Sequence, residues 1–298
     1  MIIITGASGF VGHNMSSYLA NRGEDIFSLS LRQPNWRDVI PFQGKGIIHL
    51  AGKAHDTANT SAEEEYFKVN TDLTIDLFKE FLKSEIKDFF YFSSVKAVAD
   101  TVEGILVEDV EARAHTPYGK SKLKTEQFLL AQSLPVGKRV FIVRPCMIHG
   151  PGNKGNLNLL YKVVEKGIPW PLASFHNKRS FLGIDNLLFL IHAMLEKEDL
   201  PSGVYNFADD DSLSTNDLVI LIAKVLGKRA KLWNIPPALI RATVKIGDIL
   251  PLPLNSERLK KLTESYVVSN DKIKKALNID LLPVDLEGGL IKTIKSFQ

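Results

Sequence analysis

The sequence predicts an α/β fold: a doubly wound parallel sheet followed by a smaller C-terminal domain. Over roughly the first half of the chain, short apolar runs alternate with helical patterns. This alternation is typical of a parallel sheet with helices on both faces. A glycine-rich turn directly follows the first apolar run, and the pattern loosens after residue 200, which indicates a second unit.

The elements are predicted in chain order from hydrophobic periodicity. Ile2–Thr5 is predicted as a buried first strand, and the turn after it leads into a helix that runs to about Asn21. Further strands are predicted at Asp25–Leu31, Gly46–Leu50, Asp88–Ser94, Arg139–Arg144 and Val204–Ala208. Further helices are predicted at Ser61–Lys83, Pro117–Leu134, Asn156–Lys166, Asp185–Glu196, Ser214 or Thr215 to Leu226, Asp271–Leu277 and Asp285–Ser296.

Two domains are expected. Residues 1–155 are predicted to form the larger one, to which 178–208 return, while 156–177 and 209–298 form the smaller one. The stretch Ile235–Pro253 is punctuated by prolines. Val244–Leu254 is apolar, and we expect it to pack on the protein's own core rather than on a membrane or a partner.

Composition and charge exclude several classes of protein. The chain has 298 residues, of which 45% are hydrophobic and 24% charged, so it is not a disordered, collagenous or coiled-coil protein. Lys and Arg number 37 against 34 Asp and Glu, a net charge of +3. This balance argues against a general electrostatic grip on nucleic acid and leaves room for a local phosphate pocket.

Cysteine content and hydropathy bear on location. Cys146 is the only cysteine, so no intramolecular disulfide can form, and a reduced compartment is the simplest interpretation. The apolar start runs into glycines without the basic residues of a signal peptide. No apolar stretch approaches the roughly 18 residues of a membrane span. We expect a cytoplasmic protein without membrane insertion and without a metal site.

The turn after the first strand contains Gly6, Gly9 and Gly12. A pyrophosphate needs close approach to the backbone, which a Cβ would block, and a helix N-terminus offers free N–H groups to it. The G-x-x-G-x-x-G spacing differs from the G-x-G-x-x-G of many dehydrogenases. Its place between a first strand and a helix nevertheless predicts a dinucleotide site in a Rossmann-type sheet.

The end of the second strand bears on the choice of cofactor. An acidic residue there binds the ribose 2′-hydroxyl of NAD, whereas a nearby Arg accepts the 2′-phosphate of NADP. Here Ser30 occupies the acidic position and Arg32 lies just beyond it. These residues favour NADP, although Arg32 is equally interpretable as a solvated surface residue.

Tyr118 and Lys122 are four residues apart and therefore share one face of a predicted helix. A phenol is a poor base at neutral pH, and an adjacent ammonium favours its ionised form. The pair can therefore act as an acid and base on a hydroxyl group. Ser94 ends a strand at the edge where such sheets bind ligands, and Ser93 is the alternative because neighbouring strand residues face opposite ways.

With these motifs in place, the chain resembles the extended short-chain dehydrogenases/reductases, in particular the NAD-dependent epimerase/dehydratase family of nucleotide-sugar enzymes. The last hundred residues match only loosely. The matching segments occur in family order at Thr5–Gly12, His49–Gly52, Asn70, Ser93–Val98, Pro117–Lys122, Arg144–Pro145, Gly150–Gly152 and Arg179–Asn186.

The resemblance implies a role for each matching position. Ser94, Tyr118 and Lys122 would form the catalytic triad, and the last two would also contact the cofactor. The other implied cofactor-binding residues are Gly6, Gly9, Phe10, Val11, Gly12, Ser30, Arg32, Leu50, Ala51, Gly52, Asn70 and Pro145. The implied substrate-binding residues are Ser94, Lys96, Asn156 and Arg179, the last because its fork of donors suits a diphosphate.

The resemblance leaves the reaction open. A 4-epimerase of a UDP-hexose or UDP-N-acetylhexosamine, which would retain NAD, is the main hypothesis, and an NADPH-dependent C4 reductase of a UDP-4-keto-sugar is the alternative. A dehydratase is disfavoured, because Val95 and Lys96 stand where that branch has acidic residues. A non-catalytic dinucleotide-binding regulator is a minor alternative, since Tyr118 and Lys122 are both retained. The resemblance also implies a homodimer formed through Ser61–Lys83 and Pro117–Leu134.

Overall fold

A computed structural model describes residues 1–53, 62–153, 155–248 and 255–298. Six strands form the parallel sheet that the sequence predicts, and the structure adds their order, β2-β1-β3-β4-β6-β9. Because the strand order reverses between β1 and β3, the crevice at their carboxyl ends is where such sheets bind ligands. These strands are β1 Ile2–Thr5, β2 Ile26–Leu29, β3 Gly46–His49, β4 Asp88–Phe92, β6 Arg139–Pro145 and β9 Gly203–Phe207.

The helix predicted at Ser61–Lys83 is divided into three segments. Its first residue lies outside the described part of the chain, and a π-helical segment, Phe67–Asp72, separates α3 from α4. Such π-helical turns occur frequently at functional sites. The helices around the sheet are α1 Phe10–Ala20, α2 Trp36–Val39, α3 Glu63–Tyr66, α4 Leu73–Lys83, α5 Pro117–Leu130 and α7 Ile184–Glu196.

The rest of the chain adds two small sheets and the C-terminal helices. A three-stranded sheet has the order β10-β8-β7, and a two-stranded one pairs β11 with β5. These strands are β5 Ile105–Leu106, β7 Met147–His149, β8 Arg179–Gly183, β10 Ser212–Leu213 and β11 Val267–Val268. The helices are α6 Asn156–Glu165, α8 Thr215–Val225, α9 Pro237–Gly247, α10 Ser256–Thr263, α11 Asp271–Leu277 and α12 Leu286–Lys295.

Helix α9 lies within the proline-punctuated stretch, and α10 follows it. Pro236 and Pro237 stand at the start of α9, where a missing backbone N–H costs no hydrogen bond. Ile240 and Val244 of this helix are buried in a C-terminal core together with Leu259. Val244 therefore packs on the protein's own core, and residues 249–254 lie outside the described part of the chain.

Three clusters of buried apolar side chains hold these layers together. Two are formed by the central sheet and its helices, with Phe90 and Phe141 in one and Phe78 and Phe89 in the other. The third belongs to the C-terminal helices. Within the described ranges, no helix is both long enough and apolar enough to span a bilayer. The assignment of particular residues to the two domains stays a prediction.

Candidate active site

The glycine turn after β1 is shaped by two close approaches. Gly6 has φ +70°, and a Cβ on it would lie 2.7 Å from the Ala51 nitrogen. A Cβ on Gly12 would lie 2.2 Å from the Gly6 carbonyl oxygen. Gly9 is exposed, and a Cβ on it would meet only that same oxygen, at 3.3 Å. Gly6 and Gly12 thus let the turn pack, while Gly9 leaves its outer side open.

The same turn leads into the N-terminus of α1. Phe10 and Val11 belong to the first turn of this helix, where backbone N–H groups have no acceptor within the helix. These donors and the positive end of the helix dipole suit a phosphate group. The open side at Gly9 and the free donors therefore fit the pyrophosphate of a dinucleotide.

The loop after β3 is fixed to the glycine turn by a buried hydrogen-bonded chain. The Ala51 nitrogen donates to Thr5 Oγ1 at 3.2 Å, and Thr5 Oγ1 lies 2.7 Å from His49 Nδ1. On the other side of the ring, His49 Nε2 lies 2.8 Å from Thr74 Oγ1. Burial and the Lys122 charge lower the pKa of His49 to about 3, so its ring is neutral at physiological pH.

Asn70 lies in the π-helical segment and is fully buried. Its Oδ1 accepts from the Lys53 nitrogen at 2.7 Å, and its Nδ2 donates to the Lys53 carbonyl and to Ser121 Oγ, each at 3.1 Å. Asn70 therefore connects the loop after β3, which contains Leu50, Ala51 and Gly52, to α5.

Ser94, Tyr118 and Lys122 lie together at the carboxyl edge of the sheet. The side chain of Ser94 is hydrogen-bonded to that of Tyr118, and its hydroxyl accepts a hydrogen bond from the Lys96 nitrogen at 3.2 Å. Lys122 is buried one turn further along α5, and its Nζ donates to the Phe92 carbonyl at 2.8 Å. The Thr116 side chain caps this helix, which begins at Pro117.

The surroundings of this group shift its ionisation. Burial raises the pKa of Tyr118, while the hydrogen bond from Ser94 acts to lower it. Burial also lowers the pKa of Lys122 to about 8, against the opposing effect of the Glu126 carboxylate. A Cβ on Gly52 would lie 3.4 Å from Lys122 Nζ, so the ammonium lies beside the loop after β3. The arrangement can exchange a proton with a hydroxyl placed at Tyr118.

The predicted determinants of cofactor choice lie next to the glycine turn. Leu29 is in register with Thr5, so Ser30 and Gly6 follow neighbouring strand ends. Ser30 and Arg32 are both exposed. Within the described chain, Arg32 has no ion-pair partner, whereas Arg37 on α2 pairs with Asp76 at 2.6 Å.

The predicted substrate residues have differing surroundings. Lys96 Nζ donates to the Asp100 carbonyl at 2.7 Å and lies 4.3 Å from the centre of the Tyr266 ring. Arg179 starts β8, near Glu264, and burial lowers the pKa of its guanidinium. Pro145 is buried at the end of β6, and the side chain of Asn156 lies outside the description. The charged end of Lys96 is therefore already engaged by protein groups.

A family model described as the NAD dependent epimerase/dehydratase family matches residues 2–208 of this chain. The chain belongs to that family. It is therefore an NAD(P)-dependent enzyme of the extended short-chain dehydrogenase/reductase type, as the sequence motifs predicted.

Curated relatives of this family member include two epimerases. A UDP-glucose 4-epimerase of Vibrio cholerae is 31% identical over 261 residues, which cover 79% of this chain and 78% of the relative. An N-acetyl-alpha-D-glucosaminyl-diphospho-ditrans,octacis-undecaprenol 4-epimerase of Escherichia coli O157:H7 is 26% identical, covering 92% of this chain and 84% of the relative.

Solved structures share the fold of the family member. MoeE5 in complex with UDP-glucose and NAD has a TM-score of 0.78 at 19% identity, covering 99% of this chain and 97% of that one. The complex of the Thermus thermophilus UDP-glucose 4-epimerase with NAD has a TM-score of 0.73 at 18% identity, covering 99% and 98%.

Sequence reasoning did not single out a buried ion pair that joins α5 to β6. Arg144 donates to Glu126 through Nε at 3.1 Å and through Nη2 at 2.5 Å, and Ser93 donates to the same carboxylate. Ser93 therefore faces away from the Ser94–Tyr118 contact. The available signal was the position of Glu126, four residues after Lys122 on the same helix face.

One cluster of metal-binding residue types occurs in the described part of the enzyme, away from this edge of the sheet. Glu24, His192 and Glu196 have ligand atoms within 4.8 Å of one another. Lys45 Nζ lies between the two carboxylates, 2.7 Å from Glu24 and 2.5 Å from Glu196. Lys45 therefore already supplies the positive charge that a bound cation would otherwise bring to these carboxylates.

Proposed function

We propose that this enzyme is a 4-epimerase of a UDP-hexose or UDP-N-acetylhexosamine. The observation that carries the proposal is the Ser94–Tyr118–Lys122 group, which stands at the carboxyl edge of the sheet beside a turn suited to a dinucleotide. The relative at 31% identity, a UDP-glucose 4-epimerase, supports the same reaction.

The bound nicotinamide dinucleotide supplies hydride transfer. Tyr118 takes the proton of the sugar C4 hydroxyl as that carbon is oxidised and returns it after the sugar has turned over. Ser94 donates a hydrogen bond to Tyr118 and orients the same hydroxyl. The Lys122 ammonium favours the ionised form of Tyr118, because an adjacent positive charge stabilises a phenolate.

Different residues are proposed to bind the nucleotide-sugar substrate and the dinucleotide cofactor. Arg179 and Asn156 are proposed to hold the diphosphate of the substrate, since a guanidinium fork matches phosphate oxygens. Lys96 is proposed to contact the sugar and would have to leave the Asp100 carbonyl to do so. The proposed cofactor residues are Gly6, Gly9, Phe10, Val11, Gly12, Leu50, Ala51, Gly52, Asn70 and Pro145, together with Tyr118 and Lys122.

A reductase is the second candidate, and one observation favours it. Arg32 is exposed beside the glycine turn, without an ion-pair partner in the described chain, and can receive the 2′-phosphate of NADP. A curated relative, the GDP-6-deoxy-D-mannose reductase of Pseudomonas aeruginosa, is 23% identical over 81% of this chain. In this case bound NADPH would supply the hydride for reduction of a 4-keto-sugar and would be released as NADP⁺ after each turnover, while Tyr118 would supply the proton.

Release of bound nucleotide from the freshly purified enzyme distinguishes these two reactions. An epimerase is expected to carry near-stoichiometric NAD⁺ or NADH and to interconvert UDP-glucose and UDP-galactose, or their N-acetyl analogues, without added cofactor. A reductase is expected to be purified without bound dinucleotide and to bind NADPH more tightly than NADH. A protein that carries no dinucleotide and binds neither form would contradict both proposals.

The Tyr118→Phe variant tests the proposed catalytic role. Removing the hydroxyl is expected to lower kcat by about 10²–10⁴, the usual contribution of a positioned acid and base. Dinucleotide affinity is expected to change far less than kcat, because Tyr118 is only one of the proposed cofactor contacts. Tyr18→Phe on α1 is the matched control, because it removes the same hydroxyl at a distance from the site. A Tyr118→Phe enzyme with the parental kcat would assign the proton transfer to another group.

A further inference from the structure

The segment that precedes and includes α9 has an uneven charge. Residues 226–247 contain five basic residues and no acidic one. All five cations are exposed, and in the described part of the chain none has a carboxylate partner. Two of them, Lys228 and Lys231, donate to the carbonyls of Glu165 and Gly167 at the end of α6. The others are Arg229, Arg241 and Lys245.

Large apolar side chains are exposed in and beside the same segment. Trp233 is 56% exposed, Leu239 is 59% exposed and Ile168 is 50% exposed. The backbone nitrogen of Trp233 donates to the Trp170 carbonyl at 2.9 Å. Trp170 follows Ile168 by two residues, so this hydrogen bond brings the backbone of Trp233 close to the segment that contains Ile168. We call the exposed side chains of residues 228–245, together with Ile168, the basic–apolar face.

Helix α9 has a buried side, which packs in the C-terminal core, and an exposed side, which belongs to the basic–apolar face. Ile240 and Val244 point into the C-terminal core, whereas Leu239, Arg241 and Lys245 are exposed on the same helix. The core-facing side already anchors the helix. The exposed side therefore combines apolar and cationic groups that no described part of the chain covers.

We propose that the basic–apolar face docks this enzyme onto an anionic lipid bilayer. Exposed Lys and Arg side chains are attracted to acidic headgroups, and tryptophan favours the boundary between headgroups and acyl chains. A charge of one sign selects an anionic partner, and the apolar side chains favour a lipid surface over a purely polar one. One exposed tryptophan offers little stacking area to a nucleic acid strand, which uses several aromatic rings.

Sedimentation with vesicles tests this docking on the full chain. Binding is expected with vesicles of phosphatidylcholine containing about one-third phosphatidylglycerol, and at least about tenfold weaker binding with phosphatidylcholine alone. Equal binding to both vesicles, or binding to neither, would overturn the proposal. The readout does not require the proposed sugar chemistry, so failure of one proposal is distinguishable from failure of the other.

Tryptophan fluorescence reports the same contact at one residue. The chain has three tryptophans, and Trp36 and Trp170 are buried at 3% and 7% exposure. A blue shift on adding the anionic vesicles is therefore expected to come from Trp233 and to be absent in Trp233→Phe. A shift that persists in this variant would place the lipid contact elsewhere and overturn the proposal.

Charge reversal completes the test. Arg229→Glu/Lys231→Glu is expected to weaken sedimentation with anionic vesicles by about tenfold or more. The matched control is Lys87→Glu/Lys275→Glu, which reverses two exposed lysines outside the face and is expected to sediment like the parent. Equal thermal unfolding midpoints of the variants confirm that folding is intact. Unchanged sedimentation of the first variant, or a loss of self-association instead of lipid binding, would contradict the proposal.

Discussion

At the scale of single residues, Lys122 combines burial with a required charge. Burial lowers its pKa to about 8, so its ammonium is lost as the pH rises through that value. In the proposed mechanism this ammonium favours the ionised form of Tyr118, and its loss would remove that effect. We expect kcat/KM to fall as the pH rises through about 8.

The pH profile of kcat/KM checks this expectation. Lys124→Met on the same helix serves as the control, because Lys124 is exposed and its loss is expected to leave the alkaline limb in place. Lys122→Met is expected to be nearly inactive at every pH. A parental enzyme that is equally active at pH 7 and pH 9.5, a span chosen to bracket a pKa of about 8, would exclude this role for Lys122.

Arg32 gives a second prediction at the residue scale. If it receives the 2′-phosphate of NADP, Arg32→Ala is expected to weaken NADPH binding by about tenfold and to leave NADH binding within about twofold. Arg37→Ala is a matched control, since Arg37 is exposed but already paired with Asp76. Titration of both nucleotides by fluorescence measures the effect. An equal loss of affinity for NADH and NADPH would show that Arg32 does not recognise the 2′-phosphate.

At the scale of elements, the turn between β1 and α1 separates packing from binding. Alanine at position 12 gains about 1 kcal/mol of helix propensity, but its Cβ would lie 2.2 Å from the Gly6 oxygen. The clash is expected to prevail and to destabilise the fold by about 1–3 kcal/mol. Gly9→Ala is expected to change stability by less than about 1 kcal/mol while weakening dinucleotide binding at least about tenfold.

Urea unfolding and nucleotide titration of the two variants measure these effects separately. The distinction follows from the surroundings of the two glycines, because Gly12 faces backbone atoms and Gly9 faces the outside of the turn. Parental affinity in Gly9→Ala would show that the pyrophosphate lies elsewhere.

At the scale of the whole molecule, we propose that two copies associate through α4 and α5. Leu130 at the end of α5 is 55% exposed, a position suited to burial in such a contact. Light scattering is expected to give about twice the 33.2 kDa chain mass for the parent and a smaller mass for Leu130→Lys. Leu281→Lys, at a residue 75% exposed outside these helices, is the control and is expected to remain dimeric. A parent with the mass of one chain at all concentrations would exclude the dimer.

The sequence by itself determined the sheet, the glycine turn and the relation between Tyr118 and Lys122. Each depends on neighbours within a few residues: apolar periodicity defines β1 and β3, and a spacing of four places two side chains on one helix face. The same local reasoning assigned no helix bounds around Pro236 and Pro237, because a proline that begins a helix and one that interrupts it look alike without the tertiary fold.

Only the tertiary structure decided which serine faces Tyr118 and how the site is supported. Ser93 and Ser94 are adjacent and chemically identical, and the buried Glu126–Arg144 pair engages the first while Tyr118 engages the second. The chain of hydrogen bonds from Thr5 through His49 likewise joins separate elements. Such pairings depend on which strands become neighbours. That choice follows from burying apolar surface across the whole chain, and no local pattern encodes it.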